Sequence, residues 1–137
     1  MTDFATISGD MAFLDEWEER YKYIIDLGRQ LPPLSAAEHD ERYKVRGCAS
    51  QVWLVFEPGG PEAVRFRGDS DAHIVRGLIA ILLDLYSDRP PADILAFDAR
   101  AAFEQLGLGE HLTPQRSNGF YAMVQRIRND ATASLDV

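Results

Sequence analysis

A single cysteine, Cys48, stands in the run Tyr43-Lys-Val-Arg-Gly-Cys-Ala-Ser-Gln-Val-Trp-Leu-Val-Phe56, and no other residue type in this stretch is a stronger candidate nucleophile. Gly47 before it permits a backbone turn that a residue with a Cβ resists. Ser50 and Gln51 after it lead into the apolar, β-branched and aromatic run Val52–Phe56, which has strand character. The thiol therefore sits where a loop meets a strand, and reactive groups are commonly carried on loops held by a rigid scaffold. Lys44 and Arg46 are close enough in sequence to favour the thiolate, the nucleophilic form. Against this stands the commoner role of an isolated cysteine as a small buried hydrophobe. The residue alone leaves both roles open.

The other chemistry-bearing residues narrow the choice. His39, His73 and His111 are scattered, without the short two-ligand spacing that builds zinc sites, and one thiol cannot hold an iron–sulfur cluster. A cysteine hydrolase or transferase needs a histidine base, for which His73 and His111 remain candidates. His73 falls in the first turn of a predicted helix, and His39 among acidic residues reads as a surface histidine. Cys-x-x-Cys is absent, so there is no intrachain redox pair. Pro58-Gly59-Gly60-Pro61 lacks the lysine and the following helix of a phosphate-binding loop. What remains is a carrier: a thiolate that takes a group from a partner by exchange and passes it on, with no base, metal or cofactor of its own.

Composition sets the frame for that thiol. A chain of 137 residues, 46% hydrophobic and 26% charged, suits one domain without disulfides, here expected over residues 1–137 with a core from about residue 11 to 128. The acidic start Met1-Thr2-Asp3-Phe4 is unlike a signal peptide, and the longest apolar run, Leu78–Leu83, is too short to span a bilayer. A cytoplasmic protein with no membrane role is expected. The net charge of −8 disfavours sequence-independent nucleic-acid binding, which draws its affinity from phosphate contacts. A protein partner fits better.

The elements that must position Cys48 follow from periodicity. Residues 1–9 read as a loose lead-in, and Met11–Leu14 as a short helix capped by Asp10. Asp15 and Glu18 form a capping-box pattern ahead of a helix that presents Trp17, Tyr21, Ile24, Ile25 and Gly28 on one face and stops near Leu31 at Pro32-Pro33. Ser35–Arg42, with a second cap pair at Ser35 and Glu38, fits either a helical turn or an exposed loop. Gln51–Glu57 and Ala63–Gly68 read as a hairpin, with Val64 and Phe66 inward and Arg65 and Arg67 outward. Tyr43–Arg46 fits a short third strand, giving a small antiparallel meander with Cys48 at its first turn. Ser70 or Asp69 then caps an almost wholly apolar helix from Ile74 to Tyr86, in which Gly77 marks close packing. Asp88-Arg89-Pro90-Pro91 breaks the chain before short helices over Ala92–Ala96 and Ala99–Leu106. Thr113-Pro114 opens a last helix to about Arg128, with Met123, Val124 and Ile127 on one side, and Asn129–Val137 is expected to fray. The class is α+β.

With these elements placed, Gly47-Cys48-Ala49-Ser50-Gln51-Val52-Trp53 resembles the SufE family of sulfur acceptors. Trp17-Glu18-Glu19-Arg20-Tyr21 with Tyr23–Gly28, Gly68-Asp69-Ser70-Asp71 with Ile74–Ala80, and His111–Gly119 resemble the same family in the same order, from about Phe13 to Arg128. Ala49 stands where the family often has glutamine, and Tyr43 where asparagine is frequent; both bear on partner choice more than on thiol chemistry. The resemblance implies a fold like that of the cluster scaffold IscU. It also implies that Cys48 accepts sulfane sulfur from a SufS-like pyridoxal-phosphate cysteine desulfurase, stimulates that enzyme, and delivers sulfur to an iron–sulfur scaffold complex. On this reading Cys48 is the catalytic residue, and Arg46, Gly47, Ser50, Gln51, Asp71 and Arg116 meet the partner. The pyridoxal phosphate belongs to the desulfurase, so the chain itself is expected to need no cofactor or metal. A homodimer stays open, as does a module that regulates a desulfurase without carrying sulfur.

Overall fold

In a computed structural model, residues 4–48, 50–58, 64–87, 89–110 and 112–135 are described. The expected turn at Gly59-Gly60-Pro61, the strand start at Ala63, and Ala49, Asp88 and His111 lie outside the described residues, as do Met1–Asp3 and Asp136–Val137. The architecture is α+β, as the periodicities predict. In chain order it runs α1 (Phe4–Phe13), α2 (Trp17–Gly28), two 3-10 turns (Ala36–Glu38 and Glu41–Tyr43), β1 (Val52–Pro58) and β2 (Val64–Ser70). There follow α3 (His73–Tyr86), α4 (Pro91–Ala96), α5 (Ala99–Gln105), a 3-10 turn (Leu108–Glu110) and α6 (Pro114–Leu135).

β1 and β2 pair antiparallel, with Val52 opposite Ser70, Leu54 opposite Gly68 and Phe56 opposite Phe66. Val64 and Phe66 point into the core, Arg65 is exposed and Arg67 partly so, matching the expected alternation. Against this same inward face lies α3, whose Ile74, Leu78, Ile79, Ile81, Leu82 and Leu85 are all buried; a Cβ on Gly68, on the face shared by Val64 and Phe66, would stand 2.8 Å from the Ile79 side chain. α3 is held just as closely by α2. A Cβ on Gly28 would stand 2.6 Å from the Gly77 nitrogen, and one on Gly77 would overlap the Ile24 carbonyl. Glycine at both positions lets the two backbones touch, which places α3 under the cysteine loop.

Several expectations change at the element ends. The lead-in is helical from Phe4, because Ile7 and Met11, four residues apart, bury one face against the core. Asp10 lies inside that helix, where its carboxylate accepts a 2.7 Å hydrogen bond from the Tyr23 hydroxyl. The Asp15–Glu18 box does not form: Glu16 occupies the cap position of α2 without a side-chain bond. α2 ends at Gly28, three residues before Leu31. Ser35 and Glu38 do form a reciprocal capping box, on a 3-10 turn. Before α3 the strand continues through Ser70 and Ala72 takes the cap position, while the Ser70 hydroxyl accepts the Ala72 N–H at 3.2 Å.

Two corrections bear directly on the cysteine. The third strand is reduced to one bridge, Lys44 opposite Trp53, with the Val45 N–H donating to the Val52 carbonyl at 2.8 Å. Residues 41–43 are a 3-10 turn, and the carbonyls of Arg42 and Lys44 are taken by the Arg126 side chain, so no longer ladder can grow. The tail expected to fray instead continues α6 to Leu135. Ala131 is fully buried there, and Arg128 donates to the Leu95 carbonyl at 2.9 Å, docking this end of the helix onto the α4 region.

Candidate functional site

The cysteine loop leaves the Lys44–Trp53 bridge and turns at Gly47, whose φ of +89° lies in the left-handed region that glycine adopts without a steric penalty. Cys48 follows, half-buried. Its exit is fixed by Asp71, which accepts the Gln51 N–H on its carboxylate at 3.1 Å and donates its own N–H to the Gln51 carbonyl at 3.3 Å. Asp71 therefore holds the loop to the end of β2 rather than capping a helix.

Beneath the loop runs α6, which starts at Pro114 where the Thr113 hydroxyl accepts the Arg116 N–H at 3.3 Å. Gly119 lies one and a half turns in, buried, directly under the thiol. A Cβ placed on it would stand 3.6 Å from Cys48 Sγ, and the thiol donates to the Gly119 carbonyl at 3.6 Å. Beside them is a small cavity of about 20 Å³. Val75 and Leu78 of α3 and Phe120 and Met123 of α6 give it an apolar wall, and Ser50, Gln115 and Arg116 complete it. On the usual scale such a space admits about one water-sized group.

Electrostatics at the thiol differ from the sequence expectation. Burial pushes the Cys48 thiol above its ordinary pKa, so at neutral pH it is protonated. Lys44 and Arg46 do not offset this. Both pair with Glu41, at 3.7 Å and 2.7 Å respectively, so one carboxylate engages both cations. Arg46 and Gln51 are exposed, whereas Arg116 is partly buried and places its guanidinium 5.9 Å from the Tyr21 ring centre.

No histidine lines the thiol cavity among the described residues. His73 is exposed at the start of α3, and His39 is committed elsewhere, with Nδ1 2.8 Å from the Ser35 carbonyl and Nε2 2.9 Å from Asp69. The described residues also contain no group of three or more potential metal-ligating His, Cys, Asp or Glu side chains. A larger open cleft of about 540 Å³ between α2, β2 and α3 is lined by neither cysteine nor histidine. Among the described residues no helix is long and apolar enough to cross a membrane.

The structure thus brings together Gly47, Cys48, Ser50 and Arg116, with Gln51 and Asp71 at the loop's exit and Arg46 pointing away to Glu41. Sequence reasoning missed the floor of the site. Gly119 carried a signal: a glycine inside a helix is unfavourable unless a neighbour needs the space. Met123 and Phe120 were legible only as core.

With this geometry in hand, comparison with known proteins gives a consistent result. Residues 5–131 match the family described as SufE, Fe-S metabolism associated domain. An uncharacterised SufE-like protein of Rhizobium etli is 52% identical over 134 residues, covering 96% of this chain and 90% of its own. An uncharacterised SufE-like protein of Rhizobium meliloti is 46% identical over 138 residues, covering 98% and 99%. A solution structure of a hypothetical protein from Thermus thermophilus superposes with a TM-score of 0.78 at 19% identity, over 98% of this chain and 96% of that one, a likeness of fold alone.

Proposed function

The chain belongs to the SufE family, whose domain is associated with Fe-S metabolism, and from that premise we propose that Cys48 is a sulfur carrier. It accepts the terminal sulfur of a cysteine desulfurase persulfide, stimulates that enzyme by clearing its cysteine, and hands the sulfur on for iron–sulfur cluster assembly. The step balances without an external oxidant. The Cys48 thiolate, after losing its proton to solvent or the partner, forms an S–S bond to the outer sulfur of the partner's Cys–S–SH. The partner's S–S bond breaks, and its cysteine leaves as thiolate.

The observation that carries this reading is the setting of Cys48: the chain's one thiol, half-buried on a loop, beside a cavity of about 20 Å³ with an apolar wall. A space of that size suits one additional sulfur atom and would shield it from stray thiols. A hydrolase would need a base at the thiol, and among the described residues no histidine lines that space. Exposed Arg46, Gln51 and Asp71, with Arg116 beside the cavity, are the surface on which we place the desulfurase. Pyridoxal phosphate is the partner's cofactor in this scheme.

The test is intact mass under non-reducing conditions after mixing the protein with a cysteine desulfurase and free cysteine, with Cys48→Ser in parallel. The parent should gain sulfur that reductant removes, and Cys48→Ser should gain none and fail to stimulate the desulfurase. Equal stimulation by Cys48→Ser would replace the carrier with a regulatory module.

A further inference from the structure

We propose that Arg126 is a positioning residue that clamps the stem of the cysteine loop onto α6 and so keeps Cys48 in its sheltered position. Its role in sulfur transfer rests on the function proposed above; its role in holding the loop does not.

The loop lies along α6. Cys48 sits over Gly119, and a Cβ on Gly47 would stand 3.4 Å from the Ala122 side chain. The carbonyls of Lys44 and Arg42 receive hydrogen bonds from Arg126 Nη1 and Nη2 at 3.1 and 3.2 Å. Residues 42–48 therefore track about two helical turns, roughly 10 Å, from Arg126 back to Gly119. The two ends are fixed very differently. At the Cys48 end the tie is a weak S–H···O contact. At the stem a planar guanidinium spans two backbone carbonyls, and charge-assisted bonds in a fork geometry are the stronger kind.

The clamp is itself oriented. Arg126 Nε lies 3.4 Å from Asp130 Oδ2, one turn further along the helix, which leaves both terminal nitrogens for the loop. The two side chains are 26% and 22% exposed and the bond to the Lys44 carbonyl is partly buried, whereas the bond to the Arg42 carbonyl lies at the exposed surface, so the arrangement is partly screened from water. It also depends on α6 continuing past residue 128, since Asp130 has no fixed place on a frayed tail. Arg128 supplies an internal comparison. It makes the same type of bond from the same helix, but to the Leu95 carbonyl, away from the cysteine.

Cys48 is half-buried in the closed form, so its full exposure requires the loop to lift from α6, and each anchor lowers the lifted fraction. The experiment measures the rate of Cys48 alkylation by iodoacetamide, read by intact mass, in the full-length parent, Arg126→Ala, Arg126→Lys and Arg128→Ala. Arg126→Ala should react about fivefold faster or more, the loss expected for a partly screened pair of charge-assisted bonds. Arg126→Lys should fall between it and the parent, because an ammonium cannot span both carbonyls as the fork does. Arg128→Ala should match the parent. Unchanged alkylation in Arg126→Ala overturns the clamp, and so does an equal acceleration in Arg128→Ala, which would indicate general loosening. Cys48 charged by a desulfurase should also lose its sulfur to glutathione faster in Arg126→Ala. If no desulfurase charges the parent, the carrier function falls, and the alkylation rates still decide the clamp.

Discussion

Replacing Gly119 by alanine should stabilise the protein while impairing the site, and this opposition of signs makes it a sharp test. Gly119 is six residues into a 22-residue helix, where alanine is preferred over glycine by about 0.5–1 kcal/mol. The new Cβ would lie 3.6, 3.8 and 4.0 Å from Cys48 Sγ, Cβ and Cα, which is ordinary contact, so packing does not cancel the gain. For a domain of this size that corresponds to a rise in Tm of about 3 °C. The same methyl enters the wall of a cavity of only about 20 Å³. A sulfur atom that would otherwise be buried there must stay in solvent. Burying a group of roughly one methylene contributes ~0.8 kcal/mol, so the sheltered fraction of a Cys48 persulfide should fall about fourfold. The assay pairs a thermal melt with mass-spectrometric decay of charged Cys48 in glutathione. A lower Tm would refute the packing argument. A higher Tm with an unchanged persulfide lifetime would refute the assignment of the cavity to the transferred sulfur.

Two further outcomes follow from residues around the site. His39 offers both ring nitrogens to acceptors, the Ser35 carbonyl and the Asp69 carboxylate, an arrangement only the doubly protonated ring satisfies. The Asp69 bond is the main reason its pKa is raised, opposed by desolvation and aided by the Ser35 carbonyl and the negative charge of Glu38. A raised folded-state pKa means stabilisation fully present below the ordinary value and lost as pH rises through the raised one. The urea midpoint of the parent should therefore exceed that of His39→Gln most at about pH 6, and the gap should narrow by about pH 9; a constant gap would contradict the charged ring. Ala131→Asp should destabilise by roughly 2 kcal/mol or more in urea unfolding, because the position is fully buried. A change within about 0.5 kcal/mol, typical of a surface site, would mean the end of α6 is not docked.

How much of this was legible in the sequence depended on whether a feature was local. Hairpin alternation at Val64–Arg67, the apolar helix around Leu78 and the tight crossing at Gly77 each follow from a period or a residue type, and each is found as read. Helix ends were misplaced wherever a contact distant in sequence decided them. Ile7 and Met11 extend α1 because they reach the core, and Ala131 and Arg128 extend α6 because they reach the α4 region; neither shows in local composition. At the site the same rule held. Cys48 and its turn at Gly47 were readable, whereas the raised thiol pKa comes from burial and required knowing that α6 covers the residue; that Glu41 pairs with both Lys44 and Arg46 was likewise visible only in the structure. Asp71 was visible as an acid near a helix start, but its partner, the Gln51 amide, lies 20 residues earlier.

The raised thiol pKa bears on how a carrier would have to work. A protonated thiol facing a carbonyl is a poor nucleophile, and nothing described around Cys48 supplies a base. If Cys48 attacks a persulfide, its activation must accompany its exposure: lifting the loop from Gly119 removes the desolvation that raises the pKa and returns the thiol towards its ordinary value near 8.5. One motion would then govern both accessibility and charge. The closed form would keep the free thiol unreactive before docking and keep the transferred sulfur from other thiols afterwards. A mutation that favours the open loop, as proposed for Arg126→Ala, should then speed loading and leakage together, whereas filling the cavity at Gly119 should act on leakage far more than on loading. That difference separates the holding of the loop from the sheltering of the sulfur, although both act on the same cysteine.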